Sequence, residues 1–99
     1  MVKLVVAYGA PEDPAAFEAH YASTHRPLAE KIPGLQRFEA GKVLGTPDGS
    51  EAPYSFIAEL WFESADALQA GMASDEGQAA AADVPNFASG GATLMIAEI

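Results

Sequence analysis

Apolar positions along the chain change their spacing in a regular order, and the changes mark out strands and helices in turn. Val2 to Tyr8 is a short run rich in β-branched residues that stops at Gly9, which predicts a strand. Asp13-Pro14 follows as an N-cap with proline at the first helical position, where its missing N–H costs nothing. Phe17, Tyr21 and Leu28, with Thr24 between them, recur at helical spacing and predict one apolar ridge. Pro27 disfavours helical geometry at Arg26, so the helix is expected to break or kink just after His25, with a second turn through Leu28 and Lys31. Ile32-Pro33-Gly34 closes the helical region.

Leu35 to Leu44 predicts a second strand, and Gly45 to Ser50 a turn-rich connection. Tyr54 to Glu63, dense in aromatic and β-branched residues, predicts a third. Ser64 is an N-cap for a helix ending near Ala73, Ser74-Asp75-Glu76 restarts helix through the alanine run, and Asp83-Val84-Pro85 stops it. Ala92 to Glu98 is the last strand. The order is βαββαβ, which predicts an α+β, ferredoxin-like fold: a four-stranded antiparallel sheet with both helical crossovers on one face. One domain over residues 1–99 is expected from the length.

The strands do not alternate cleanly between apolar and polar. Strand three places Tyr54, Phe56, Ala58, Leu60 and Phe62 on one face and Ser55, Ile57, Glu59, Trp61 and Glu63 on the other. Two helical crossovers can cover only one face. The second is expected to be buried against an identical sheet in a two-fold homodimer, since apolar area removed from water stabilises at about 25 cal/mol per Å². The plainer alternative treats Ile57 and Trp61 as isolated surface apolar residues.

Composition narrows the partners. Five Lys and Arg stand against fourteen Asp and Glu, a formal charge of −9, and Lys3, Arg26, Lys31, Arg37 and Lys42 are scattered. That excludes a basic stripe for nucleic acid and makes an anionic membrane surface a poor partner. The absence of cysteine excludes disulfides, thiolate nucleophiles and metal–sulfur sites. The apolar start is too short for a signal-peptide core, and a cytoplasmic location is expected.

Proton-transfer chemistry is left to few groups. His20 and His25 lie five residues apart, about 140° around a regular helix, so they are not expected to share a face or a metal. His25 falls on the ridge of Phe17 and Tyr21, at the helix end opened by Pro27, and is the better candidate. A histidine on such a ridge can equally pack or answer the helix dipole, and Tyr21 can equally be core. Glu59 interrupts an apolar strand and shares its face with Trp61; a dimer-face contact, an edge charge and a cavity carboxylate all fit it. No nucleophile elbow, phosphate loop or dinucleotide fingerprint is present, so no cofactor is expected.

The stretch from Phe17 to Leu35, with its aromatic, Tyr21, His25-Arg26-Pro27-Leu28 and Pro33-Gly34-Leu35, resembles the EthD family, named for ethyl tert-butyl ether degradation. Tyr54 to Phe62, Ser74-Asp75-Glu76-Gly77 and Asp83-Val84-Pro85-Asn86-Phe87 resemble its later blocks. The resemblance implies a dimeric α+β barrel, with a ligand cleft between sheet and helices. It implies His25 as the motif histidine with Tyr21 beside it, and Trp61, Phe62, Asn86 and Phe87 as cleft walls. Two functions follow as expectations. One is a cofactor-free oxygenase, isomerase or lyase acting on an apolar substrate, aromatic ones included, with His25 as general acid or base. The other is a non-catalytic ligand-binding or accessory homodimer of a degradation pathway.

Overall fold

The computed structural model describes residues 1–99. Strand β1 (Val2–Tyr8) lies inside a four-stranded antiparallel sheet of order β2-β3-β1-β4, with β2 at Arg37–Lys42, β3 at Phe56–Phe62 and β4 at Ala92–Glu98. This is the expected ferredoxin-like sheet. β2 is shorter than its sequence pattern, because only single backbone bonds, Gln36 N–H to Trp61 and Val43 N–H to Ser55, continue the ladder beyond its ends.

The first crossover comprises helix α1 (Pro14–His20), one π-helical turn (Tyr21–His25) and helix α2 (Arg26–Glu30). Asp13 caps α1 by accepting from the Ala16 N–H at 3.1 Å, with Pro14 in the first turn as expected. The helix expected to break or kink just after His25 does not break; it is irregular there. The Arg26 N–H reaches back five residues to the Tyr21 carbonyl. Proline removes an i→i−4 donor and crowds the preceding turn, and the wider turn just ahead of Pro27 accommodates it without ending the helix. The extra residue also re-phases the ridge: Phe17, Tyr21, His25 and Ala29 point inward, Leu28 is half-buried and Thr24 is exposed.

The second crossover is helix α3 (Ala65–Ala73) followed by α4 (Asp75–Asp83), and a short 3₁₀ turn, Val84–Asn86, leads to β4. Ser64 caps α3. Ser74 joins the two helices, its hydroxyl donating to the Gly71 carbonyl and accepting from the Gly77 N–H at 3.0 Å. The helices cross where both carry glycine: a Cβ on Gly77 would lie 2.2 Å from the Gly71 carbonyl oxygen. A second close approach, of Gly9 to Gly90, fastens the end of β1 to the loop before β4, and the Gly9 N–H donates to Gly91 O at 3.0 Å.

The core lies between sheet and helices. Val2, Leu4, Val6, Tyr8, Ala58, Leu60 and Phe62 from the sheet meet Phe17, Tyr21, Ala29, Leu68 and Ala80 from the helices. Each such side chain contributes about 1.5–3 kcal/mol of burial when large. The other sheet face carries no helix. Across it run the rows Ala97, Lys3, Trp61, Arg37 and then Met95, Val5, Glu59, Glu39. Lys3 pairs with Glu59 at 2.6 Å, Arg37 pairs with Glu39, and both cations sit over the Trp61 ring at 5.3 and 5.0 Å. Glu59 is therefore an ion-pair partner on the open face. No helix is long and apolar enough to cross a membrane.

Candidate active site

The strongest cluster of polar groups on the helix side is centred on Asp83. Gly77, Ala80 and Asp83 recur every three residues along the inner side of α4, so the carboxylate is carried inward at the helix end, 6% exposed. Three donors converge on it. His25 Nδ1 donates to Oδ2 at 3.0 Å, His20 Nε2 to both oxygens at 2.9 and 3.0 Å, and Asn86 Nδ2 to Oδ1 at 3.0 Å. Burial alone would raise the carboxyl's pKa, but the bonds from Asn86, His20 and His25 outweigh it and hold Asp83 below the usual carboxylate range.

The two histidines share one carboxylate, against the expectation that they lie on different faces. The π turn is the reason. Hydrogen bonding from residue i to i+5 widens the turn, so residues five apart face the same side instead of standing about 140° apart. His20 keeps 29% of its side chain exposed at the outer end, whereas His25 is 5% exposed at the inner end. Burial lowers the His25 pKa, His20 adds to the lowering, and Asp83 opposes both. The imidazole is held neutral at pH 7, with Nδ1–H on Asp83 and Nε2 as the remaining basic nitrogen.

His25 lines a cavity of about 460 Å³ between the sheet and the helices, within the range of small-molecule sites. Leu4, Val6, Ala58 and Leu60 form its floor, Ala29, Ile32, Met72 and Ala80 its roof, and Leu94 its β4 side. Of the 19 lining residues 16 are hydrophobic, and none is Lys or Arg. Tyr8 and Tyr21 join His25 at the wall. Tyr21 is 4% exposed, and no protein group bonds its hydroxyl. Burial pushes both phenols well above their ordinary value, with Asp83 adding to the shift of Tyr8 and Tyr8 to that of Tyr21, which the Arg26 charge outside the cavity lining opposes.

Of the residues singled out in the sequence, the structure brings His25 and Tyr21 together at the cavity, their ring centroids 5.2 Å apart. It places the four expected cleft walls elsewhere. Trp61 lies on the open sheet face, because its register puts it beside Lys3 and Arg37. Phe62 is fully buried. Asn86 binds Asp83, and Phe87 packs behind the histidines, stacked on His20 at 5.3 Å and tilted against His25 at 4.7 Å. Two further site residues, Asp83 and Tyr8, stand outside the sequence candidates. Asp83 was legible as the one charged member of the inward Gly77, Ala80, Asp83 series; Tyr8 gives no signal beyond a strand aromatic.

The EthD domain model matches residues 10–91 of this chain. An uncharacterised 11.0 kDa protein of the thcB–thcC intergenic region of Rhodococcus erythropolis is 50% identical over 99 residues, 99% of this chain and 94% of that protein. The crystal structure of an EthD family protein from Bacillus halodurans C-125 superposes with a TM-score of 0.93 at 41% identity, covering 100% of this chain and 98% of that one. Two more distant structures share the fold alone. A dimeric ferredoxin-like protein of unknown function from Thermobifida fusca has a TM-score of 0.74 at 16% identity, over 99% of this chain and 90% of that one. SnoaB, a cofactor-independent oxygenase from Streptomyces nogalater, has a TM-score of 0.67 at 20% identity, over 99% and 91%. Sequence and fold agree, and the chain belongs to the EthD family.

Proposed function

We propose that this chain is a small-molecule enzyme that works without a cofactor, in the cytoplasm, on an apolar substrate of aromatic size. One observation carries the reading: a buried histidine at the wall of an apolar cavity, its Nδ1 held by a buried carboxylate. That pairing fixes the tautomer, presents Nε2 as a base and stabilises the imidazolium that forms when a proton arrives. A carboxylate that only capped or packed a histidine would not require the ring to face a ligand-sized space. The likeness to SnoaB supports cofactor-free chemistry in this fold, and oxygenase, isomerase and lyase reactions all fit a positioned acid–base group.

The working unit in this proposal is a homodimer with the open sheet faces together. Val5, Ile57 and Trp61 are half-buried and Met95 is exposed on that face, and the Thermobifida fusca neighbour is dimeric. Light scattering at micromolar concentration should give twice 10.3 kDa, and a monomer would overturn the dimer.

Native mass spectrometry of the purified protein should show a retained small molecule, and that molecule or its analogues should be turned over. His25→Ala should keep binding and lose about 10²–10⁴ in rate. Equal rates would remove His25 from the mechanism, and retention without turnover would favour a ligand-binding accessory protein.

A further inference from the structure

We propose that the cavity is built for a carbonyl compound bearing an acidic C–H beside the carbonyl, and that the chain enolises it, Tyr21 binding the oxygen and His25 removing the proton. The inference rests on the catalytic reading above and narrows it to a substrate class and a reaction. Its starting point is the Tyr21 hydroxyl, buried at the cavity wall with no protein acceptor. A buried donor left unmatched costs about 1–3 kcal/mol, so its natural partner is an acceptor on the ligand.

The wall decides which acceptor. A carboxylate or phosphate would bring a full negative charge into a cavity lined by no Lys or Arg, with the Asp83 carboxylate already nearby. An unpaired buried charge is strongly disfavoured. A carbonyl oxygen is neutral when it binds and gains charge only as the reaction proceeds, which suits a single protonated donor. The phenol's raised pKa keeps it a donor at neutral pH.

The second group stands beside the first. With ring centroids 5.2 Å apart, Tyr21 and His25 can address one ligand, the hydroxyl at its oxygen and Nε2 at the adjacent carbon. His25 Nε2 takes the proton as the C–H bond breaks. The freed pair forms the C=C bond, and the carbonyl π pair moves onto oxygen, where Tyr21 donates to it. The imidazolium is stabilised by Asp83, 3.0 Å from Nδ1. Return of the proton to the same carbon gives exchange. Its return to a conjugated carbon gives a double-bond shift. Neither needs an oxidant, a reductant or a metal. Asp83 acts here through His25, as a positioning residue.

Acetophenone and α-methylstyrene test this, because they match in shape and differ in having a carbonyl oxygen or a methylene. Wild type should bind the ketone about tenfold more tightly, the worth of one good hydrogen bond, and Tyr21→Phe should remove that preference while keeping its affinity for the styrene. In deuterium oxide, wild type should accelerate exchange at the acetophenone methyl group, followed by NMR. Tyr21→Phe should lose about 10²-fold of that rate, as for a missing oxyanion donor, and His25→Ala should abolish it. Equal binding of both probes by wild type would overturn the carbonyl assignment and leave the small-molecule site standing. Preferential ketone binding without exchange, or exchange that survives His25→Ala, would overturn enolisation. Binding of neither probe at millimolar concentration would overturn the small-molecule reading itself.

Discussion

The two faces of the sheet are built from the same strands and handle charge in opposite ways. On the open face, Lys3–Glu59 and Arg37–Glu39 pair laterally beside Trp61, part-exposed, with cations and carboxylates matched one to one. On the helix face, a single carboxylate, Asp83, is buried without a Lys or Arg partner and is satisfied by three donors from three side chains. Surface pairs of the first kind are interchangeable and worth little. The second arrangement is costly to disturb and leaves one imidazole nitrogen and one phenol uncommitted at a cavity. Charge on the open face is spent on pairing; charge on the helix face is organised around a ligand-sized space.

The most direct way to break this contrast is Asp83→Ala. It leaves donors on His25, Asn86 and His20 without an acceptor, of which only His25 is well buried, and should destabilise the fold by about 3 kcal/mol in urea denaturation. A loss below about 1 kcal/mol would mean that the cluster is wet and the contrast false.

Gly77→Ala comes next. Its Cβ would sit 2.2 Å from Gly71 O and 2.7 Å from Met72 Cα, backbone atoms that cannot swing aside, so about 2–3 kcal/mol should be lost. Gly41, on β2 of the open sheet, has nothing within 4 Å of an added Cβ, and Gly41→Ala should change stability by less than about 1 kcal/mol.

A third effect is read in pH. The His25 pKa is below 6.5 in the folded chain, so the unfolded chain binds that proton more readily. Stability should therefore be full above pH 6.5 and fall as pH drops from there towards the folded value. The Asp83 pKa is below 3.8 when folded, so its contribution is lost only as pH falls beneath 3.8. Thermal melts of wild type and His25→Gln should differ in slope just below pH 6.5, and coincident profiles would contradict a buried neutral His25.

The smallest effect belongs to the open face. Glu59→Gln should cost less than about 1 kcal/mol in folding, because the pair with Lys3 is part-exposed. Where the sheets of two copies meet, the same substitution should appear in the monomer–dimer equilibrium instead, measured by sedimentation.

The sheet was legible in the sequence because β-branched runs, turn residues and caps at Asp13, Ser64 and Ser74 all point the same way, and the structure uses each of them. His25 and Tyr21 were legible as inward residues of one ridge. The histidine pair was not, since helical wheels assume a constant turn and Pro27 changes the turn locally. The four expected cleft walls lie off the cavity for a different reason. Trp61 and Phe62 sit on opposite sides of one strand, and neither has its face towards open space on the helix side. Asn86 and Phe87 sit at the right end of the molecule but behind the histidines, a matter of loop direction that residue type does not encode.

The π turn has a consequence for how this site can vary. The meeting of His20 and His25 depends on the number of residues between them as much as on their identity. Removing one residue from the exposed stretch Ala22 to Thr24 would let an ordinary helix close up with the histidines four apart, still on one face, whereas closing up without a deletion would set them about 140° apart and dissolve the shared carboxylate. A change in the turn alone, with no residue of the site altered, would thus take the cluster apart. Relatives that lack the extra residue would hold the two histidines together by ordinary helical spacing, so the wide turn and the five-residue spacing have to be kept or lost as a pair.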